Sequence, residues 1–120
     1  MKPALILIDH GSRRAEANAV LDDMAALVRR TDPGRAVHTA HMELAAPSLA
    51  DAVAACIAEG AREIVVVPWF LAPGQHSTRD IPRLADEAAA LHPNVHVRVA
   101  SPLGAHAKLA ELALLRADEV

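Results

Sequence analysis

Short apolar runs alternate with amphipathic stretches along this chain. The runs cover about residues 4–8, 37–42, 64–70 and 95–100. The first and third are continuous and rich in Val, Ile and Leu. The second and fourth alternate with polar residues, and the alternation of Val with His96 and Arg98 in the fourth predicts an edge strand. Continuous, β-branched runs of this length are typical of buried strands. The stretches that follow carry apolar residues at spacings of three and four, which predicts helices. Four strand–helix units predict an α/β fold with right-handed crossovers, a flavodoxin-like three-layer αβα half domain around a four-stranded parallel sheet of order 2-1-3-4.

The predicted helices also have recognisable starts and inward faces. Ser12 is a candidate N-cap for the first helix, and Pro47 suits the first turn of the second. The third helix is predicted over about residues 80–91. The predicted core-facing residues are Ala17, Val20, Leu21, Met24, Leu27 and Val28, then Leu49, Val53 and Ile57, then Ile81, Leu84, Ala88 and Leu91, and finally Leu109, Leu112 and Leu115.

Composition narrows the class of protein. The 120 residues are 52% hydrophobic and 22% charged, with a formal net charge of −3, so we expect one globular domain over 1–120 without a nucleic-acid or membrane partner. No apolar run reaches the ~20 residues that span a bilayer, and no signal peptide is evident, which favours the cytoplasm. The single Cys56 lies in a helical apolar pattern and is expected to be a buried, inert thiol.

Polar side chains follow three of the predicted strands at the point where each strand ends. His10 follows the first strand, Glu43 the second and His76 the third. The carboxyl ends of parallel strands meet at one edge of a sheet, and strands 1 and 3 are predicted neighbours ~4.8 Å apart. Ligands bind at such an edge, where the connections diverge. We therefore expect these three side chains on one rim.

This donor set is suited to a divalent transition metal. Two imidazoles and a carboxylate fit Co²⁺, Ni²⁺, Fe²⁺ or Zn²⁺ and leave coordination positions open. Spacing alone leaves open whether each histidine is a ligand or a structural residue. On the predicted second strand His41 points the same way as Glu43, so it is a candidate auxiliary ligand or proton relay.

The motifs that contain these residues also resemble a known family. They are Asp9-His10-Gly11-Ser12-Arg13, Glu43-Leu44-Ala45-Ala46-Pro47-Ser48-Leu49, Pro68-Trp69-Phe70-Leu71-Ala72-Pro73-Gly74-Gln75-His76, Asp80-Ile81-Pro82 and Pro102-Leu103-Gly104-Ala105-His106. In this order and spacing they resemble the class II tetrapyrrole chelatases, in particular the sirohydrochlorin cobalto- and ferrochelatases of the CbiX/SirB type. The resemblance extends from Ala4 to about Leu112.

The resemblance implies a metal chelatase, a lyase that inserts Co²⁺ or Fe²⁺ into sirohydrochlorin on the route to cobalamin or sirohaem. It implies that His10 and His76 bind the metal and accept the pyrrole protons, and that Glu43 helps to hold or deliver the metal. The metal is then a substrate, and no permanently bound cofactor is implied. Short members of the family work as homodimers, so a homodimer is expected.

The implied substrate is a flat macrocycle with carboxylates around its rim. Candidate donors to these carboxylates lie where helices begin, because free backbone N–H groups there favour anions. They are Ser12, Arg13, Arg14, Ser77, Thr78 and Arg79. Helix capping and solvated arginines explain the same residues equally well. His106 matches a family motif at a helix start, where a capping or structural role is expected.

Two alternatives to this function remain open from the sequence. One is a nickel-inserting relative that acts on a related tetrapyrrole, because two His and one Glu do not identify a metal. The other is a non-catalytic carrier of metal or tetrapyrrole. A nucleotide-binding, flavin-binding or phospho-receiver domain is disfavoured, because the chain has no Gly-x-Gly-x-x-Gly motif, no P-loop and no acid at the end of the third strand.

Overall fold

A computed structural model describes residues 2–74 and 79–120 of the chain. Strands and helices alternate as β1 (Ala4–Asp9), α1 (Ala15–Thr31), β2 (Val37–His41), α2 (Leu49–Ala58), β3 (Glu63–Pro68), α3 (Ile81–Ala90), β4 (His96–Val99) and α4 (Ala107–Asp118). All strand pairs are parallel, and the sheet order is β2-β1-β3-β4. The predicted α/β fold and strand order are therefore confirmed.

The core occupies both faces of the sheet, because successive strand residues point to opposite sides. On one face Ile6, Ile8, Ile64 and Val66 are buried with residues of α2 and α3. On the other face Leu7 and Val37 are buried with Leu21 and Ala25 of α1. These two faces give the three layers. β4 is an edge strand, as its alternation of Val with His96 and Arg98 predicted, and those two polar side chains are exposed.

Two predicted helix starts are wrong. α1 begins after Arg14, and the Ser12 hydroxyl accepts a hydrogen bond from the Arg14 backbone N–H at 3.0 Å. The Asn18 side-chain amide binds both the N–H and the carbonyl of Ser12, so Ser12 belongs to a closed turn before the helix. α2 is capped by Ser48 in a reciprocal capping box with Asp51. Pro47 precedes that cap and follows a cis peptide bond.

Several predicted core positions are exposed instead. Val20 and Leu27 of α1 are 58% and 48% exposed, and Leu91 after α3 is 71% exposed. α1 approaches the sheet through Leu21 and Ala25, which are four residues apart, so side chains to either side of that line reach solvent. As the structure describes it, α4 has no buried residue. None of the described helices is both long and apolar enough to cross a membrane.

Candidate metal site at the carboxyl edge of the sheet

His10 and Glu43 lie together where β1 and β2 end. His10 Nε2 is 3.3 Å from Glu43 Oε1, and the two side chains are 42% and 56% exposed. The ladder between the strands continues into this loop region, because the Met42 N–H donates to the Asp9 carbonyl at 2.9 Å and the Glu43 N–H to the His10 carbonyl at 3.1 Å. An imidazole nitrogen and a carboxylate oxygen are thus presented to solvent side by side, which suits a divalent cation.

Gly11 allows the two loops to approach this closely. Its φ is +92°, and a Cβ placed on it would lie 1.9 Å from the Glu43 carbonyl oxygen and 3.1 Å from His41 Cβ. No side chain fits in that space, and only glycine adopts such a φ readily. The turn after β1 therefore packs directly on the backbone of Glu43.

A second pair of polar side chains lies directly beneath the first. Asp9 and His41 are partners in the register of β1 and β2, and His41 Nδ1 is 2.5 Å from Asp9 Oδ1. The His41 side chain is 2% exposed and that of Asp9 is 23% exposed. The His41 ring is thus buried against Asp9, whereas Glu43 reaches solvent. Asp9 was missed because only the strand register reveals that it faces His41.

The third predicted ligand, His76, lies outside the described residues, as do Ser77 and Thr78. The described part of this loop leaves β3 at the same edge as His10, because Ile8 pairs with Pro68 and the Trp69 N–H donates to the Ile8 carbonyl at 2.7 Å. Within residues 2–74 and 79–120, no cluster of three or more His, Cys, Asp or Glu could hold a metal ion. His10 and Glu43 are therefore the described part of the predicted donor set.

The predicted anion donors differ in their surroundings. The Arg14 guanidinium pairs with Glu16 at 2.7 Å, and a backbone hydrogen bond together with this pairing lowers the pKa of Glu16. Arg13 and Arg79 are exposed. The Ser12 hydroxyl accepts from the Arg14 backbone N–H, and an oxygen that accepts one hydrogen bond retains its own O–H as a donor. All three arginines are exposed, and Arg14 is the one that is paired with Glu16.

Two further sequence predictions concern structural residues, His106 and Cys56. His106 caps α4, because its Nδ1 accepts from the Lys108 N–H at 3.1 Å, so the capping prediction is confirmed. His38 Nε2 lies 2.8 Å from Glu59 Oε1 at the end of α2. Cys56 is buried, and burial, with a smaller contribution from Glu59, raises its pKa to about 11. The predicted burial is therefore confirmed, and a thiol with a raised pKa stays protonated at neutral pH.

A cavity of about 460 Å³ lies at the opposite edge of the sheet, where β3 and β4 begin. It is lined by Lys2, Gly60, Ala61, Arg62, Glu63, Asn94 and His96. Among the residues that the structure describes, none of those predicted to bind metal or substrate lines it. The described residues of the predicted metal site and this cavity therefore lie at opposite edges of the sheet.

Comparison with known proteins agrees with the fold and with the motifs at the carboxyl edge. A family model described as CbiX matches residues 4–120. The chain is 41% identical over 102 residues to the chloroplastic sirohydrochlorin ferrochelatase of Arabidopsis thaliana, covering 85% of this chain and 45% of that protein. It is 33% identical over 136 residues to the sirohydrochlorin cobaltochelatase of Methanopyrus kandleri, covering 97% and 95%. The chain thus spans less than half of the Arabidopsis protein and nearly all of the archaeal one.

Two solved structures share the architecture. A putative CbiX protein from Marinobacter aquaeolei VT8, described as a cobalamin biosynthesis protein, has a TM-score of 0.83 and 30% identity, covering 98% of this chain and 96% of that one. The sirohydrochlorin chelatase SirB from Bacillus subtilis subspecies spizizenii, solved in complex with cobalt, has a TM-score of 0.90 and 25% identity, covering 100% and 51%. By the family model and by its relatives, the chain belongs to the CbiX family.

Proposed function

We propose that this chain is a sirohydrochlorin metal chelatase that inserts Co²⁺ or Fe²⁺ into the macrocycle. The observation that carries the proposal is the 3.3 Å approach of His10 Nε2 to Glu43 Oε1 at the ends of adjacent parallel strands. Family membership supports it, since relatives are named sirohydrochlorin cobaltochelatase and ferrochelatase. SirB structures are described with cobalt and with Fe³⁺, which supports the metal as a substrate.

The chemistry follows from what chelation exchanges. Two pyrrole N–H protons leave as one M²⁺ enters, so the site must release a metal and accept protons. In the proposal His10, His76 and Glu43 hold the metal through few donors, which permits its transfer. Once the metal has left, a neutral imidazole nitrogen and a carboxylate oxygen become acceptors for the released protons. The half-exposed side chains of His10 and Glu43 leave room for a flat substrate above them.

The substrate's carboxylates would be bound around the same rim. In the proposal Arg13 and Arg79 supply positive charge, and the hydroxyls of Ser12, Ser77 and Thr78 supply hydrogen bonds. Both arginines are exposed, so they reach the anionic fringe of a macrocycle without giving up a buried partner.

A homodimer is part of the proposal, because the chain leaves apolar surface uncovered. Leu112, Leu114 and Leu115 of α4 are 42%, 67% and 61% exposed. On the face of the sheet that α1 covers, Val67 and Trp69 are only partly buried. When two copies associate, the exposed leucines of α4 and the partly covered sheet face can both be buried. The second copy then supplies the other wall of a site for a macrocycle.

Metal insertion is the direct test. The protein is incubated with sirohydrochlorin and Co²⁺, Fe²⁺ or Ni²⁺, and the absorbance change is followed against the spontaneous rate. His10→Ala, Glu43→Gln and His76→Ala are each expected to lower kcat/KM at least about 100-fold, because each loses a metal donor and a proton acceptor. His96→Ala is the matched control, since His96 is exposed at the far edge of the sheet.

Three results would contradict the proposal in different ways. Acceleration that survives all three substitutions would place the reaction elsewhere in the protein. Metal binding without turnover would identify a carrier. Preference for Ni²⁺ over Co²⁺ and Fe²⁺ would identify the nickel-inserting alternative.

A further inference from the structure

We propose that Asp9 and His41 form a positioning pair that fixes the spacing of His10 and Glu43. The inference rests on the metal site proposed above and adds two residues to it. His41 Nδ1 is 2.5 Å from Asp9 Oδ1, and the imidazole is buried. A carboxylate oxygen only accepts, so Nδ1 carries the hydrogen and donates it. Neither residue touches the metal in this proposal. Asp9 acts through His10, the next residue in the chain, and His41 acts through Glu43, two residues further on.

The position of the pair explains why it would control the metal donors. Asp9 immediately precedes His10, and His41 lies two residues before Glu43. The side-chain bond joins the last register pair of β1 and β2, just below the loop bonds that join Met42 to Asp9 and Glu43 to His10. These three hydrogen bonds join the two loops at successive positions. The bond between the Asp9 and His41 side chains is the one nearest the sheet.

The loop after Glu43 needs such a restraint because its backbone is strained. Leu44 has a φ of +68° and is the only non-glycine with a positive φ among the described residues. A leucine in this conformation brings its Cβ too close to a carbonyl oxygen, so an unrestrained loop would relax to another conformation. Leu44 is also 53% exposed, so burial of its own side chain contributes little to holding it there. The Asp9–His41 bond and the contact of Gly11 with the Glu43 carbonyl hold the start of this loop.

The first experiment measures metal affinity in the absence of tetrapyrrole. Co²⁺ is titrated into wild-type protein, His41→Leu and His41→Asn, and the dissociation constant is obtained by calorimetry. Leucine removes the donor, whereas the asparagine amide places an N–H close to the position of Nδ1. His41→Leu is expected to weaken Co²⁺ binding about tenfold, the scale seen for residues that orient metal ligands, and His41→Asn to restore most of it. Asp9→Asn and Asp9→Ala provide a second pair should His41→Leu fail to fold.

A steady-state measurement separates positioning from general loss of stability. In His41→Leu the KM for metal is expected to rise about tenfold, while the KM for sirohydrochlorin stays within about twofold. Loss of folded protein would lower the apparent kcat without separating the two KM values. Wild-type protein that binds Co²⁺ but does not insert it would overturn the chelatase activity alone. Wild-type protein that binds no Co²⁺ would overturn the metal site and this inference with it.

The most specific test relieves the backbone strain at Leu44. Leu44→Gly removes the cost of the positive φ, so in the His41→Leu background it is expected to recover at least about threefold of the lost Co²⁺ affinity. Leu44→Gly alone is expected to change that affinity by less than about twofold. Co²⁺ affinity unchanged in His41→Leu and Asp9→Ala would overturn the inference. An equal loss in His41→Leu and His41→Asn, without recovery by Leu44→Gly, would also overturn it, since the imidazole itself would then be required.

Discussion

Helices α3 and α4 have similar apolar content, but α3 packs in the core whereas α4 is largely exposed. α3 buries Ile81, Ala85 and Ala88, which follow one another at spacings of four and three. α4 carries four leucines within twelve residues and, in the structure as described, buries none of them. Both helices follow a strand of the same sheet. Their difference lies in the surface available to them, because α3 packs between α2 and β4 whereas α4 leaves the edge strand.

This contrast shows that apolar spacing identifies a helix but not its partner. The face of α3 is complementary to other elements of the same chain. The leucines of α4 have no comparable surface among the described residues of this chain, so their cover is expected from a second copy. The predictions below are given in order of expected effect. They compare substitutions in helices that pack in the core with substitutions in α4.

Truncation in α3 is expected to have the largest effect on stability. Ile81 is fully buried, and Ile81→Ala removes apolar contact and leaves a cavity beneath the helix. The free energy of unfolding should fall by about 3 kcal/mol, measured by chemical denaturation. Leu115→Ala in α4 is the matched truncation at an exposed position. Equal losses from the two variants at low protein concentration would show that α4 packs within its own chain.

Alkaline pH should reveal the burial of Cys56 in α2. Its pKa rises from 9.0 to about 11, so the folded state binds the thiol proton more tightly than the unfolded state does. The resulting stabilisation is fully present below pH 9 and is lost as the pH rises towards 11. At about 1.4 kcal/mol for each pH unit between 9.0 and about 11, it is at most about 3 kcal/mol. Cys56→Ala should flatten the fall in unfolding free energy over this range, and an unchanged slope would show that the thiol is accessible to water.

Polar substitution in α4 should have the smallest effect on the folding of the monomer. Leu114→Gln and Leu115→Gln alter exposed side chains, so the free energy of unfolding at nanomolar protein should change by less than about 0.5 kcal/mol. Sedimentation at micromolar concentration should instead show a lower fraction of dimer than for wild type. Normal association of both variants would remove α4 from the proposed dimer interface.

Much of the fold could be predicted because it depends on local pattern and on general rules of chain connection. The apolar runs located β1 to β4, and the handedness of the crossovers supported the order 2-1-3-4. The same rules brought His10 and Glu43 to one edge although 33 positions separate them in the chain (43 − 10). That two strands end at the same edge of the sheet follows from the topology alone and does not depend on the details of packing.

The features that could not be predicted depend on register and on tertiary contact. The bond between Asp9 and His41 follows from one specific pairing of β1 with β2, and a shift of one residue would separate them. α1 begins at Ala15, later than predicted, because the Asn18 side chain closes a turn around Ser12. The preference of serine for N-cap positions does not reveal this contact. The exposure of Leu91 and of the α4 leucines depends on which surfaces meet them.

The close approach of Gly11 to the Glu43 carbonyl also has a consequence for how this protein tolerates mutation. Even alanine at position 11 would collide with backbone, and backbone cannot turn aside as a side chain can. Every substitution there must separate the loops that carry His10 and Glu43. In a saturation library selected for metal insertion, Gly11 should therefore tolerate as few replacements as His10 does, although it has no side chain with which to bind anything.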